Sequence, residues 1–183
     1  MARGARFAQR LDAPRHARQR RIHAHPLADP RRIDARAGLP HNSVFAVAGD
    51  GKGTVWAATT LALVELRNGA VARVRDDLAL EVPRCVLYDS RGVLWVGTAA
   101  GLYRLDGRST TRLTIRDGLR ADFITALAED RDGNIWIGTE GGLNRWSAGS
   151  IEGFSAAEGL PGDSVASLME DREGSLWIGL RGT

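Results

Sequence analysis

The chain has 183 residues, enough for one domain with its own hydrophobic core, and 43% of them are apolar with few aromatics. Its formal charge of +3 hides an asymmetry: residues 1–36 hold ten arginines against Asp12, Asp29 and Asp34, while the remaining 147 carry 15 basic and 19 acidic groups. The basic character therefore belongs to the start of the chain, and the acidic body has no electrostatic attraction for nucleic acid or an anionic membrane.

Along residues 1–37 the sequence is rich in Arg, Ala and His, with too few apolar side chains to offset the entropy of an ordered chain, which predicts disorder. A solvated tail or a mistranslated start fits this segment better than a nucleic-acid arm, a targeting peptide or a localisation signal. Arg20 and Arg21 are paired as in a twin-arginine signal, but His23, His25 and Pro26 replace the apolar stretch that such a signal needs. No apolar run approaches the ~18 residues that span a bilayer.

From Gly38 the chain repeats. Trp56, Trp95, Trp136 and Trp177 are separated by 39, 41 and 41 residues, each in the pattern Asp-x-x-Gly-x-aliphatic-Trp. The units are 38–76, 77–117, 118–158 and 159–183, the last holding only its first two strand patterns. In the first unit the apolar runs are Val44 to Ala48, Thr54 to Ala58, Ala62 to Leu66 and Ala70 to Val74. Turn residues separate them, with Asn68-Gly69 among the strongest hairpin signals. Each unit reads as an antiparallel four-stranded meander that cannot bury both faces alone, so neighbours must stack on it. The predicted fold class is all-β: a β-propeller fragment of about three and a half blades. An incomplete ring leaves an inter-blade face and strand edges open, which predicts poor solubility or self-association.

Alignment on the tryptophans gives each position a reading. Asp50, Asp89, Asp130 and Asp171 stand six residues before each Trp, and Gly53, Gly92, Gly133 and Gly174 three before. A carboxylate opening a tight turn bonds its own backbone, and glycine supplies the positive φ, so these are turn residues before they are metal or acid-base groups. Asp130, Asp132 and Asn134 come nearest a calcium loop, but the glycine falls at its fourth position, not its sixth. The tryptophans read as wedges between blades, their indole N–H directed to a carbonyl. Ala46, Cys85, Ala126 and Ser167, ten residues before each Trp, are small, which places the first strand innermost where blades crowd. Cys85 is thus a small packing residue; as the one cysteine it excludes an intrachain disulfide and a cysteine-based zinc site.

Fourteen residues before each Trp lie Asn42, Glu81, Asp122 and Asp163, in loops entering the innermost strands at one mouth of a central channel. Two readings are open: side-chain capping of the local turn, or ligand binding. His41, Arg84 and Arg120 beside them vary between units and are the better recognition candidates. The candidate ligand-binding set is therefore His41, Asn42, Glu81, Arg84, Arg120, Asp122 and Asp163; no catalytic, metal or cofactor residues are assigned.

The run Glu129 to Trp146, preceded by DGLRADFITAL, closely resembles the two-component regulator propeller repeat, and the likeness extends over residues 38–183. Asp89 to Leu102 and Asp171 to Gly179 match well. The first unit departs, with Ala58 and Ala62 for glycines, as does the second, with Asp77 and Leu78 for Gly-Leu. The resemblance implies a periplasmic sensor domain of a seven-bladed kind, ahead of a membrane helix and a histidine kinase or diguanylate cyclase. Neither of those is present in this chain. It further implies an oligosaccharide or other small ligand, with the remaining blades and output domain as partners. Two other functions are weighed: a protein-interaction scaffold, and a lyase of the streptogramin type. The lyase would need a base and partners, and His41 is the one histidine within the repeats.

Overall fold

The computed structural model describes residues 33–76, 81, 83–107 and 109–182; the tail to residue 32 and the opening of the second unit, Asp77 and Leu78, lie outside the described residues. Three sheets of four strands and one of two follow in chain order, each an antiparallel meander. The first unit holds β1 (Val44–Gly49), β2 (Thr54–Thr59), β3 (Leu63–Arg67) and β4 (Ala70–Arg75). The second holds β5 (Cys85–Tyr88), β6 (Leu94–Thr98), β7 (Gly101–Leu105) and β8 (Thr110–Leu113), and the third β9 (Ile124–Glu129), β10 (Ile135–Thr139), β11 (Gly142–Ser147) and β12 (Ser150–Phe154). The fourth has β13 (Val165–Glu170) and β14 (Leu176–Leu180). No helix among the described residues is long and apolar enough to cross a membrane.

The first strands of successive units touch one another, β1 on β5, β5 on β9 and β9 on β13, so they are innermost, as the small residues predicted. At Asn68-Gly69 both φ angles are positive, 51° and 76°, the primed turn that joins twisted strands without splaying them.

A 3-10 turn, Ala35–Ala37, leads into the first unit and ends at Gly38; Asp34 caps it by accepting from the Arg36 amide. The same turn recurs at Ile115–Asp117 and Ala156–Glu158, there with full capping boxes from Thr114 with Asp117 and Ser155 with Glu158. Each turn stops at a glycine in the left-handed region, Gly38, Gly118 or Gly159, which delivers the following leucine, Leu39, Leu119 or Leu160, into the core.

Three of the four core clusters join neighbouring units, while Leu39, Ala57 and Val64 pack with Leu66 and Val71 within the first. Ala58 and Leu63 of the first pack on Leu94, Val96 and Leu105 of the second, with Trp56 against them. Trp95 and Leu102 of the second pack on Ile124, Ile135 and Ile137 of the third, and Trp136 of the third lies against Val165, Leu176 and Ile178 of the fourth. Each unit therefore has an outgoing face carrying its tryptophan and an incoming face of aliphatic side chains.

Register explains the small residues more fully than crowding does. Cys85 pairs with Gly97 across β5 and β6, and Ala126 with Gly138 across β9 and β10. A Cβ on Gly97 would lie 2.6 Å from Ile124 Cγ2 and 2.5 Å from Cys85 Sγ; one on Gly138 would lie 2.6 Å from Val165 Cγ1. The small–glycine pair thus forms a cradle into which the next unit's aliphatic residue drops. Cys85 as a whole residue is half-buried, and desolvation of its thiol pushes the pKa up to about 12 despite the opposing effects of the Gly97 backbone and Arg84. A thiol so poorly ionised is a weak nucleophile, in keeping with a packing residue.

Candidate functional site

The turn aspartates do two jobs at once. In every unit one carboxylate oxygen accepts from two amides of its own turn; for Asp130 these are Asp132 and Asn134, at 3.1 and 2.8 Å. In the second, third and fourth units the second oxygen accepts from the indole N–H of the tryptophan: Trp95 on Asp89 at 2.8 Å, Trp136 on Asp130 at 2.9 Å and Trp177 on Asp171 at 2.7 Å. The indole thus finds a carboxylate where a carbonyl was expected, and the six-residue spacing is what brings the two together across the hairpin. Gly133 and Gly174 hold φ of 76° and 84°, the left-handed conformation the turn demands.

These bonds favour the ionised acid. At Asp171 the Trp177 indole, then the Ser175 amide, hold the carboxyl below its ordinary value of 3.8. At Asp130 burial works the other way, but bonds from Asn134, Trp136 and Asp132 outweigh it and the pKa is again lowered. A carboxylate with a depressed folded pKa contributes stability that is present above the unfolded value and lost as pH falls through the folded one. In thermal melts from about pH 7 to about pH 2 the contribution of these two groups is expected to be lost as pH falls below their ordinary 3.8, and Asp130→Asn is expected to flatten that acid limb. An unchanged limb in the variant would remove Asp130 from the account.

The carboxylates also clasp units together. Glu129, just before the turn Asp130, accepts from the Ser90 amide and hydroxyl of the preceding unit at 2.8 and 2.5 Å. One unit on, Glu170 accepts from the amide and Nε of Arg131 at 2.8 and 2.9 Å. Between the first and second units Gly51 and Tyr88 occupy these positions, so that interface forms without a carboxylate clasp.

The seven sequence candidates do not converge as one set. Asn42 accepts from the Ala35 amide at 2.9 Å and Asp122 from the Ile115 amide at 2.7 Å, so these two cap the 3-10 turns. His41 Nδ1 accepts from the Ser43 amide at 3.0 Å, a local turn bond. Arg120 is held in its own unit: its amide donates to the fully buried Asn144 at 3.0 Å, and its guanidinium to Glu158 at 2.8 Å and the Gly153 carbonyl at 3.4 Å. Glu81 and Asp163 are exposed.

Arg84 keeps a position suited to recognition. Its guanidinium lies 4.2 Å from the centre of the Phe123 ring in the next unit. The Phe123 carbonyl accepts from the Glu140 amide at 3.2 Å, and the Glu140 carboxylate lies 3.7 Å from the Arg181 guanidinium of the fourth unit. Arg84, Phe123, Glu140 and Arg181 thus form a row across three units, where the inner strands begin and the hairpins between second and third strands turn. Arg84, Glu140 and Arg181 are exposed and Phe123 is half-buried. The row offers an aromatic face beside donors and an acceptor for hydroxyl or carboxylate groups.

Sequence reasoning passed over Phe123, Glu140 and Arg181 because each is singular to its unit. The available signal was position: Phe123 follows Asp122, and Glu140 follows Thr139, whose buried hydroxyl donates to the Gly142 carbonyl at 2.8 Å, as Thr98 does to Gly101. Among the described residues no group of three or more His, Cys, Asp or Glu is placed to hold a metal ion.

Comparison with known proteins agrees with the fold. Solved structures that the chain resembles include the extracellular domain of a hybrid two-component system of B. thetaiotaomicron, at 21% identity and TM-score 0.70, covering 80% of this chain and 22% of that one. The extracellular domain of a one-component system of the same organism matches at 24% identity and TM-score 0.66, over 79% of this chain and 21% of that one. A virginiamycin B lyase of Staphylococcus aureus matches at 16% identity and TM-score 0.61, over 75% and 49%. The chain therefore spans about a fifth of the sensor structures, and at these identities the likeness is one of fold. No curated protein matches it. The model of the two-component regulator propeller matches residues 38–60, 77–100, 118–141 and 159–182, one segment in every unit and together more than half of the chain, so the chain belongs to that family.

Proposed function

We propose that this chain is part of the ligand-sensing propeller of a periplasmic signalling receptor and has no catalytic role of its own, the parent protein carrying a histidine kinase or diguanylate cyclase as its output. The observation that carries this reading is the match of all four units to the regulator-propeller model. Support comes from the extracellular location named for the two sensor structures. The ligand is an oligosaccharide or another small polar molecule, taken up along Arg84, Phe123, Glu140 and Arg181. Phe123 provides a face for a sugar ring, and the charged neighbours provide the hydrogen bonds that orient it. Nothing in the row pairs a nucleophile with a base, which favours binding over turnover.

Calorimetric titration of the protein with neutral and acidic oligosaccharides tests this. Binding is expected to weaken by about tenfold or more in Arg84→Ala and Arg181→Ala, equivalent to about 1.4 kcal/mol each, with the melting temperature unchanged because both side chains are exposed. Binding indifferent to both substitutions would place the ligand elsewhere, and no binding across the panel would defeat the oligosaccharide reading.

A further inference from the structure

The innermost strands break register once, at the mouth that holds Arg84. Between Val44 and Ala46, Ile124 and Ala126, and Val165 and Ser167, two residues face one on the partner strand, so Phe45, Thr125 and Ala166 are bulged. Each stands eleven residues before its tryptophan, and Arg84 holds that position in the second unit. A bulge re-aims a side chain, here out of the ladder at the start of the strand. One backbone position thus presents an aromatic ring, a guanidinium, a hydroxyl and a methyl group in turn, a variation that suits recognition better than scaffold. Phe45 is 49% exposed. Its exposure does not come from its place in the first unit, because Arg84, with units on both sides, is exposed as well. Beside it the Thr60 amide donates to the Ser43 carbonyl at 3.3 Å, as the Glu140 amide does to Phe123, so the hairpin carrying Leu61 turns at the same mouth. Leu61 is 62% exposed. The aligned Gly141 faces Arg120 and Ala121 of its own unit, so this position does not look onto a neighbouring one.

We propose that Phe45 and Leu61 form an apolar subsite continuous with Arg84 and Phe123, and that the ligand is a carboxylate-bearing oligosaccharide of two or more rings. This rests on the sensing role proposed above and narrows it. Along the units the mouth changes from apolar at Phe45 and Leu61, through the cation Arg84, to the charged pair Glu140 and Arg181. An acidic sugar chain matches that sequence, because each ring has an apolar C–H face and a polar edge. One ring lays its face on Phe45 and Leu61, its carboxylate meets Arg84, and the next ring continues towards Phe123 and Glu140. The Arg84 guanidinium lies 4.2 Å from the Phe123 ring centre and forms no ion pair among the described residues. Held by a ring face and not by an acid, it keeps its N–H fork for a planar carboxylate, which it grips at two points.

Calorimetric titration of the whole chain with tetragalacturonate, galacturonate and maltotetraose tests this. Tetragalacturonate is expected to bind at least about tenfold more tightly than either of the others, one lacking length and the other the carboxylate. Phe45→Ala is expected to weaken tetragalacturonate binding about tenfold, and Phe45→Tyr, which keeps the aromatic face, to retain it. Arg84→Ala is expected to remove most of the preference over maltotetraose. Both positions are exposed, and circular dichroism of each variant checks that the fold is kept. Tetragalacturonate binding that falls in Arg84→Ala but not in Phe45→Ala overturns the subsite and leaves the sensing role standing. Maltotetraose bound as tightly as tetragalacturonate overturns the demand for a carboxylate, and galacturonate bound as tightly overturns the demand for a second ring. If none of the three binds, the proposal fails together with the oligosaccharide reading on which it rests.

Discussion

Trp95→Ala is expected to destabilise the protein by about 3–5 kcal/mol, the cost of emptying a large aromatic site in a packed core. The ring is 2% exposed and lies between the second and third units among Leu102, Ile124 and Ile137. It meets Trp146 edge-on with centroids 5.6 Å apart, and its indole N–H is held by Asp89 at 2.8 Å. Its removal also leaves Asp89, a buried carboxylate, one donor short. Trp177 has the same motif and the same carboxylate bond but is 39% exposed, so Trp177→Ala in dilute solution is expected to cost about half as much or less. Urea unfolding of both variants checks this. Equal losses would mean that the indole bond, and not inter-unit packing, sets the energy.

Gly97→Val is expected to cost about 3 kcal/mol, the upper part of the range for overpacking a core. Intrinsic preference points the other way, because valine suits a strand better than glycine by up to about 1 kcal/mol. Sterics prevail, since the first carbon added would already lie 2.5 Å from Cys85 Sγ and 2.9 Å from Ile124 Cβ, both anchored in packed strands. Ile124→Ala made alone opens a cavity; made together with Gly97→Val it vacates the space the new side chain needs. The two changes should therefore be non-additive, the double variant more stable than the sum of the single losses implies. A Gly97→Val protein as stable as the wild type would show that the second and third units are not packed this closely.

Much of the fold was legible in the tryptophan frame because strand pairing and turn formation are local. Asp and Gly at fixed distances from Trp56, Trp95, Trp136 and Trp177 specify the hairpin whatever lies beyond it, and the run Val44 to Ala48 became β1 with one residue added. The 3-10 turns were legible in principle, since Thr114 with Asp117 and Ser155 with Glu158 have capping-box spacing just before Gly-Leu. They were overlooked because the first unit carries Asp34 and Ala37 there and breaks the pattern.

The candidate site was less legible. Asn42 and Asp122 share a frame position because they share a structural task, capping a turn, so the recurrence that drew notice to them speaks for scaffold. Arg120 looked like a variable contact but is tied to Asn144, Gly153 and Glu158, partners up to 38 residues away. The row of Arg84, Phe123, Glu140 and Arg181 arises only when three units are stacked.

The sequence by itself determined the repeat, the strands, the turn chemistry and the family, because each depends on residues a few positions apart. Only the tertiary structure decided where the tryptophan N–H groups bond, why a glycine faces Cys85, and which charges meet at the inner-strand mouth. The indole bond closes within one hairpin but depends on the direction of both side chains, whereas the cradle at Gly97 and the charges at the mouth join residues of different units, through packing between sheets that no spacing within a single unit encodes.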